Sequence, residues 1–140
     1  MVEQRTENPC VGGSIPPLGT IFACLVLCLG MPAAALAQQV VNVVATEYQF
    51  SPNKLTFERG VAYRLHVENH GKETHEFTAP KFFKAITPQD ASALNADRTE
   101  IVVNPGEAKD LTFTAQKPGS YRLICADHDW AGMKGRITVK

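Results

Sequence analysis

The sequence predicts an all-β fold, an antiparallel sandwich or barrel of about eight strands with one short helical excursion. Three observations predict it. Short runs rich in β-branched and aromatic residues recur along the chain after residue 38. Several alternate apolar with polar side chains, the period of a half-buried strand. Turn signals, Asn104-Pro105-Gly106 and Lys117-Pro118-Gly119, separate the later runs.

Taken in order, residues 40–48 (VVNVVATEY) open the domain as a β-branched strand. Residues 54–58 (KLTFE) put Leu55 and Phe57 on one face. Residues 63–67 (YRLHV) alternate Tyr63, Leu65 and Val67 with Arg64 and His66. Residues 99–103, 111–114, 121–125 and 136–139 add similar strands. Thr87-Pro88-Gln89-Asp90 has the form of a helix start, with Thr87 as N-cap and Pro88 at the first helical position. The helical excursion is therefore expected over residues 91–96. Phe82 and Phe83 are expected in the core or as a cover on one end of the sandwich.

The N-terminus is a separate object. Residues 21–31 (IFACLVLCLGM) are apolar, uncharged and shorter than the roughly 20 residues of a membrane-spanning helix. Small residues follow, ending at Ala35-Leu36-Ala37. This is the pattern of a signal peptide, residues 1–37, cut after Ala37. The alternative joins residues 18–37 into an uncleaved anchor. The mature domain is then residues 38–140, periplasmic, not inserted in a membrane, and expected as a monomer; in the alternative it is membrane-anchored and faces the periplasm.

Charge excludes one class of function. The chain has 14 Lys+Arg and 14 Asp+Glu, so no basic excess exists to neutralise phosphates, and no nucleic-acid partner is expected. Hydrophobic residues at 44% against 20% charged residues disfavour disorder. Of the four cysteines, Cys10, Cys24 and Cys28 precede Ala37. The mature chain keeps Cys125 alone, so that thiol is buried and inert, paired with another chain, or a metal ligand.

Cys125, His128 and Met133 lie in the string CADHDWAGM, between a strand (GSYRLIC) and the last strand (GRITV). His75, in GKETHEF, is the candidate for a further nitrogen ligand. His70 in the preceding polar loop is its rival, and His66 reads as a surface strand residue. One thiolate, two imidazoles and one thioether form the donor set of a trigonal copper site with a weak axial sulfur. Two residues separate Cys125 from His128, room for a tight loop to aim both at one point. Gly132 and Gly135 let the backbone turn closely around Met133.

At these residues GSYRLICADHDWAGMKGRITV resembles the C-terminal signature of the cupredoxins, the small blue-copper proteins, with their Cys-x-x-His-x-x-x-x-Met loop. The resemblance extends to VENHGKETHEF and to the Pro-Gly turn before the cysteine strand, and covers residues 40–140. It implies an eight-stranded Greek-key β-sandwich that binds one copper ion through His75, Cys125, His128 and Met133. Two positions depart from the family pattern. Glu76 stands where Asn usually follows the first His, and Asp127 stands where Pro often precedes the second. Charge from Asp127 and Asp129 near the metal favours Cu(II). Trp130 reads equally as core or as part of a docking surface beside His128.

The expected function is a one-electron carrier, with copper cycling between Cu(I) and Cu(II) and redox proteins as partners. The alternative is a copper-handling protein that stores or delivers the ion. An enzyme is not expected, because additional coppers need further His ligands, and the chain has four His and no His-x-His pair.

Overall fold

The computed structural model describes residues 37–140. The expected signal peptide lies almost wholly outside these residues. Among the described residues, no helix is long and apolar enough to cross a membrane.

The strands are β1 (Gln39–Thr46), β2 (Gln49–Ser51), β3 (Lys54–Phe57), β4 (Ala62–Asn69), β5 (His75–Thr78), β6 (Ile86–Asp90), β7 (Glu100–Val103), β8 (Ala108–Ala115), β9 (Gly119–Ile124) and β10 (Lys134–Val139). They form two five-stranded sheets, ordered β2-β1-β4-β8-β6 and β3-β10-β9-β5-β7. The alternation read from the sequence is what makes this a sandwich. In β4, Tyr63, Leu65, Val67 and Asn69 are buried while the residues between them are exposed or half-buried. Leu111, Phe113 and Ala115 of β8 repeat the pattern.

The sheets are not purely antiparallel as expected: β1 runs parallel to β4, and β3 runs parallel to β10. Side-chain alternation has the same period in both strand directions, so it carries no information on direction.

Between the sheets lies an aromatic cluster. Phe57 packs against Tyr63 at 4.8 Å, Phe113 at 5.2 Å and Phe82 at 5.5 Å between ring centroids. Each fully buried side chain of this size contributes about 1.5–3 kcal/mol through apolar burial. Phe82 and Phe83 are both buried, as expected. They belong to the helix α1 (Pro80–Phe83), which has Pro80 in its first turn.

The helix expected after Thr87 does not exist. Thr87–Asp90 is part of β6, the edge strand that pairs with β8 through Thr87↔Thr114 and Pro88↔Phe113. An edge strand is where a proline is tolerated, since its missing N–H faces no neighbour. Proline also biases the residue before it away from helix. Residues 91–99 form turns rather than a helix. Asn95 pins that segment, its Oδ1 accepting the backbone N–H of Thr99 at 2.8 Å and of Glu100 at 3.3 Å.

Candidate metal centre

The second sheet brings β5 and β9 side by side, and β9 pairs with β10. His75 is the first residue of β5, and Cys125 directly follows β9. The loop from Cys125 to β10 closes on itself by backbone hydrogen bonds. Cys125 N–H donates to Met133 O at 3.0 Å, His128 N–H to Cys125 O at 3.3 Å, and Met133 N–H to His128 O at 3.3 Å. Residues Asp129–Ala131 make one 3₁₀ turn, which ends at Gly132 with φ +84°. A side chain there would be strained, so glycine is required. Gly135 serves differently: a Cβ would stand 2.6 Å from Asn53 O, too close to fit.

This framework makes three side chains converge. Ligand atoms of His75, Cys125 and His128 lie within 4.8 Å of one another. His128 Nδ1 is 3.3 Å from Cys125 Sγ, and His75 Nδ1 is 3.9 Å from it. The two rings meet nearly edge to face, 5.0 Å apart. Both Nδ1 atoms therefore look at the sulfur, and both Nε2 atoms look away. His75, Cys125 and Met133 are fully buried. Met133 joins the group through its backbone bonds to Cys125 and His128.

Burial sets the protonation of this group. Cys125 is pushed up to about 11, first by desolvation and then by its hydrogen bond to the Glu76 carboxylate. The thiol donates to Glu76 Oε2 at 2.9 Å, and Glu76 N–H donates to the sulfur at 3.4 Å. His75 is held below the usual imidazole range, first by burial and then by the neighbouring His128. This favours the neutral ring, the form that ligates metal. His75 Nε2 is buried and has no hydrogen-bond partner.

The donors fit a soft or borderline transition metal: a thiol and imidazoles, with no cage of oxygens for Mg²⁺ or Ca²⁺. A metal arriving here must displace the thiol proton, so its binding is coupled to proton release.

The remaining sequence candidates fall into place around this centre. Glu76 touches the sulfur and also accepts the backbone N–H of Asp127 at 3.3 Å. It thereby ties the two ligand segments together. Trp130 is 77% exposed, so the core reading fails. Its Nε1 donates to Asp127 O at 2.9 Å. Tyr48 lies beside both Trp130, at 5.8 Å, and His128, at 5.0 Å. His70 is absent from the cluster and bonds Glu68 at 2.6 Å instead.

Two residues escaped the sequence reading: Glu73, 2.8 Å from His128 Nε2, and Glu47, 3.8 Å from His75 Nε2. Glu73 sits two positions before His75, and that closeness was a usable signal. Glu47 comes from the β1–β2 turn, and nothing local marks it.

The sequence profile described as the cupredoxin-like domain matches residues 19–139. The chain belongs to the cupredoxin-like family. Among relatives of this cupredoxin, the plastocyanin minor isoform of Arabidopsis thaliana is 45% identical over 51 residues, which is 36% of this chain and 29% of that protein. Plastocyanin A/B of Petroselinum crispum is 29% identical over 90 residues, 64% of this chain and 86% of that protein. The match thus spans less than a third of the Arabidopsis relative and most of the Petroselinum one. Among solved structures, the dithionite-reduced auracyanin from the photosynthetic bacterium Roseiflexus castenholzii superposes with a TM-score of 0.56 at 26% identity. That superposition covers 74% of this chain and 98% of the auracyanin.

Proposed function

We propose that this cupredoxin is a type 1 copper protein that carries single electrons between redox proteins in an exported compartment. The observation that carries the reading is the convergence of two imidazole Nδ1 atoms and one buried thiol, from the start of β5 and from the closed β9–β10 loop. A thiol and two imidazoles would suit a copper that cycles between Cu(I) and Cu(II), and membership of the cupredoxin-like family supports the reading.

Copper, when bound, supplies the Cu(I)/Cu(II) couple. The chain's own residues do the rest. Cys125 gives up its proton and offers a thiolate. His75 and His128 would present their Nδ1 atoms to the copper, and Met133 would add a thioether donor. The Glu76 backbone N–H donates to the sulfur and helps hold a thiolate there. Strand pairing and the closed loop hold the donors in one arrangement, so little has to move when an electron enters or leaves. His128 is the donor nearest solvent, with its side chain 12% exposed. With Tyr48 and Trp130 around it, this edge is the route by which electrons reach a partner.

Export rests on the apolar run and the cleavage pattern ending at Ala37. Intact-mass measurement of the exported protein should give a chain starting at Gln38. A chain retaining earlier residues would support the anchored alternative.

The functional test is to add Cu(II) to the purified protein and record the visible and EPR spectra. A thiolate-to-copper charge-transfer band with a type 1 EPR signal is expected, and Cys125→Ser should abolish both. A chain that binds copper without that band would instead be a storage or delivery protein.

A further inference from the structure

Two carboxylates stand behind the two imidazoles, on the side away from the thiol. Glu73 Oε2 is 2.8 Å from His128 Nε2. Glu47 Oε1 is 3.8 Å from the unpartnered His75 Nε2. The acids are coupled through the backbone between β4 and β5. Glu47 accepts the N–H of Lys72 and, at 3.0 Å, that of Glu73. These bonds hold the Glu47 carboxyl below its ordinary range, the Lys72 bond contributing most.

Asn69, fully buried, grips the same segment from beneath. Its Nδ2 donates to Glu73 O at 2.7 Å and Val103 O at 2.9 Å, and its Oδ1 accepts the Gly71 N–H at 2.8 Å. A Cβ at Gly71 would push the Glu47 carboxylate aside and stand 3.0 Å from His75 Nε2, so the glycine lets Glu47 hold its place. The backbone of Glu73 is therefore fixed from two sides. Its side chain crosses from the segment that carries His75 to the ring that the other loop supplies.

We propose that Glu73 is the positioning residue of His128, an anionic strap that keeps Nδ1 of the ring turned towards Cys125 and biases bound copper towards Cu(II). This rests on the type 1 copper reading. A neutral imidazole has one N–H and one lone pair. An Nε2–H donated to Glu73 leaves the lone pair on Nδ1, the atom 3.3 Å from the sulfur. A carboxylate behind a ligating imidazole also makes it a stronger donor, and the nearby negative charge favours the more highly charged ion. The Glu73 side chain is half exposed, so salt should weaken the electrostatic part.

The test uses the full chain with Glu73→Ala, Glu73→Gln and, as control, Asp129→Asn. Asp129 is an acid of the same loop whose carboxylate faces Arg122 at 3.8 Å rather than the rings. In the metal-free protein, ¹⁵N NMR should show a His128 Nε2–H protected from solvent exchange. Glu73→Ala should speed that exchange about tenfold or more, and Glu73→Gln should speed it less. In the copper protein, Glu73→Gln should raise the reduction potential by about 59 mV, a tenfold change in Cu(II)-to-Cu(I) preference. Asp129→Asn should move it by less than half as much. Unchanged exchange in Glu73→Ala would overturn the strap, as would equal potential shifts for Glu73→Gln and Asp129→Asn. Absence of the charge-transfer band from the parent protein would instead remove the copper reading, while the metal-free exchange rates still decide whether Glu73 holds the ring.

Discussion

His66 and His75 are the same side chain in opposite surroundings. His66 lies midway along β4, on the outer face of the first sheet, its side chain 24% exposed. Both its nitrogens have acidic partners: Nδ1 meets Asp110 of β8 at 2.8 Å, and Nε2 meets Glu68 at 2.7 Å. Its pKa is raised, Asp110 contributing most and Glu68 next. His75 lies at the end of the other sheet, fully buried, with one nitrogen facing a thiol and the other facing no hydrogen-bond partner. Its pKa is lowered. Carboxylates at both nitrogens favour the imidazole's cation. Burial beside another imidazole makes it a neutral donor with a lone pair to give. Histidine count therefore says little about metal binding; what stands around each ring decides it.

The largest expected effect separates the two at once. His75→Ala should lose copper, with affinity falling by more than the roughly 10–100-fold typical of losing an outer partner of a ligand. His66→Ala should leave copper binding unchanged. Equilibrium titration of both variants checks this, and equal losses would break the contrast.

Next comes the potential. Met133→Leu keeps the side-chain volume nearly constant, so packing should hold and copper should stay bound. The potential should rise, because Cu(II) loses more than Cu(I) when a donor goes. Met133→Gln should lower it, since a harder oxygen donor favours Cu(II). Voltammetry decides, and two unchanged potentials would make Met133 a packing residue.

Stability of the metal-free protein against pH sharpens the contrast further, because the two histidines act with opposite sign. The raised pKa of His66 gives stability that is fully present below about 6.5, the unfolded value, and lost as pH rises through the folded value. The lowered pKa of His75 gives stability present above about 6.5 and lost as pH falls through the folded value. Denaturant unfolding across pH 5–8 should show His66→Gln removing the first dependence and His75→Gln the second. Matching slopes in both variants would show that neither environment acts as described.

The smallest effect concerns the His66–Asp110 pair itself. Asp110→Asn should cost on the order of 0.2–1 kcal/mol at pH 6, as for other exposed ion pairs, and less in high salt.

Much of this was written locally in the chain. Cys125, His128 and Met133 share one loop whose internal hydrogen bonds join near neighbours, so their spacing was legible in the chain. His75 was separable from His70 because Phe77 begins a buried run just after it, and β5 is buried along its whole length. What sequence could not supply was contact between distant segments. Glu47 reaches the site across a turn, and parallel pairing of β1 with β4 leaves no periodic mark. The misread helix at Thr87 is the same lesson in reverse. A local capping pattern was present, and pairing with β8 overrode it. Pro80, at the start of the actual helix, carried the comparable local signal.

Trp130 is the only tryptophan in the chain, and it projects into water at the end where His128 comes nearest to solvent. Tyr48 bridges the two rings. The protein thus carries its own optical gauge. Indole emission comes from one known spot, beside the Tyr48 ring that packs on His128, and it should be red-shifted by solvent and dimmed as copper loads. A plain fluorescence titration would then count filled sites without a dye, a label or an engineered probe.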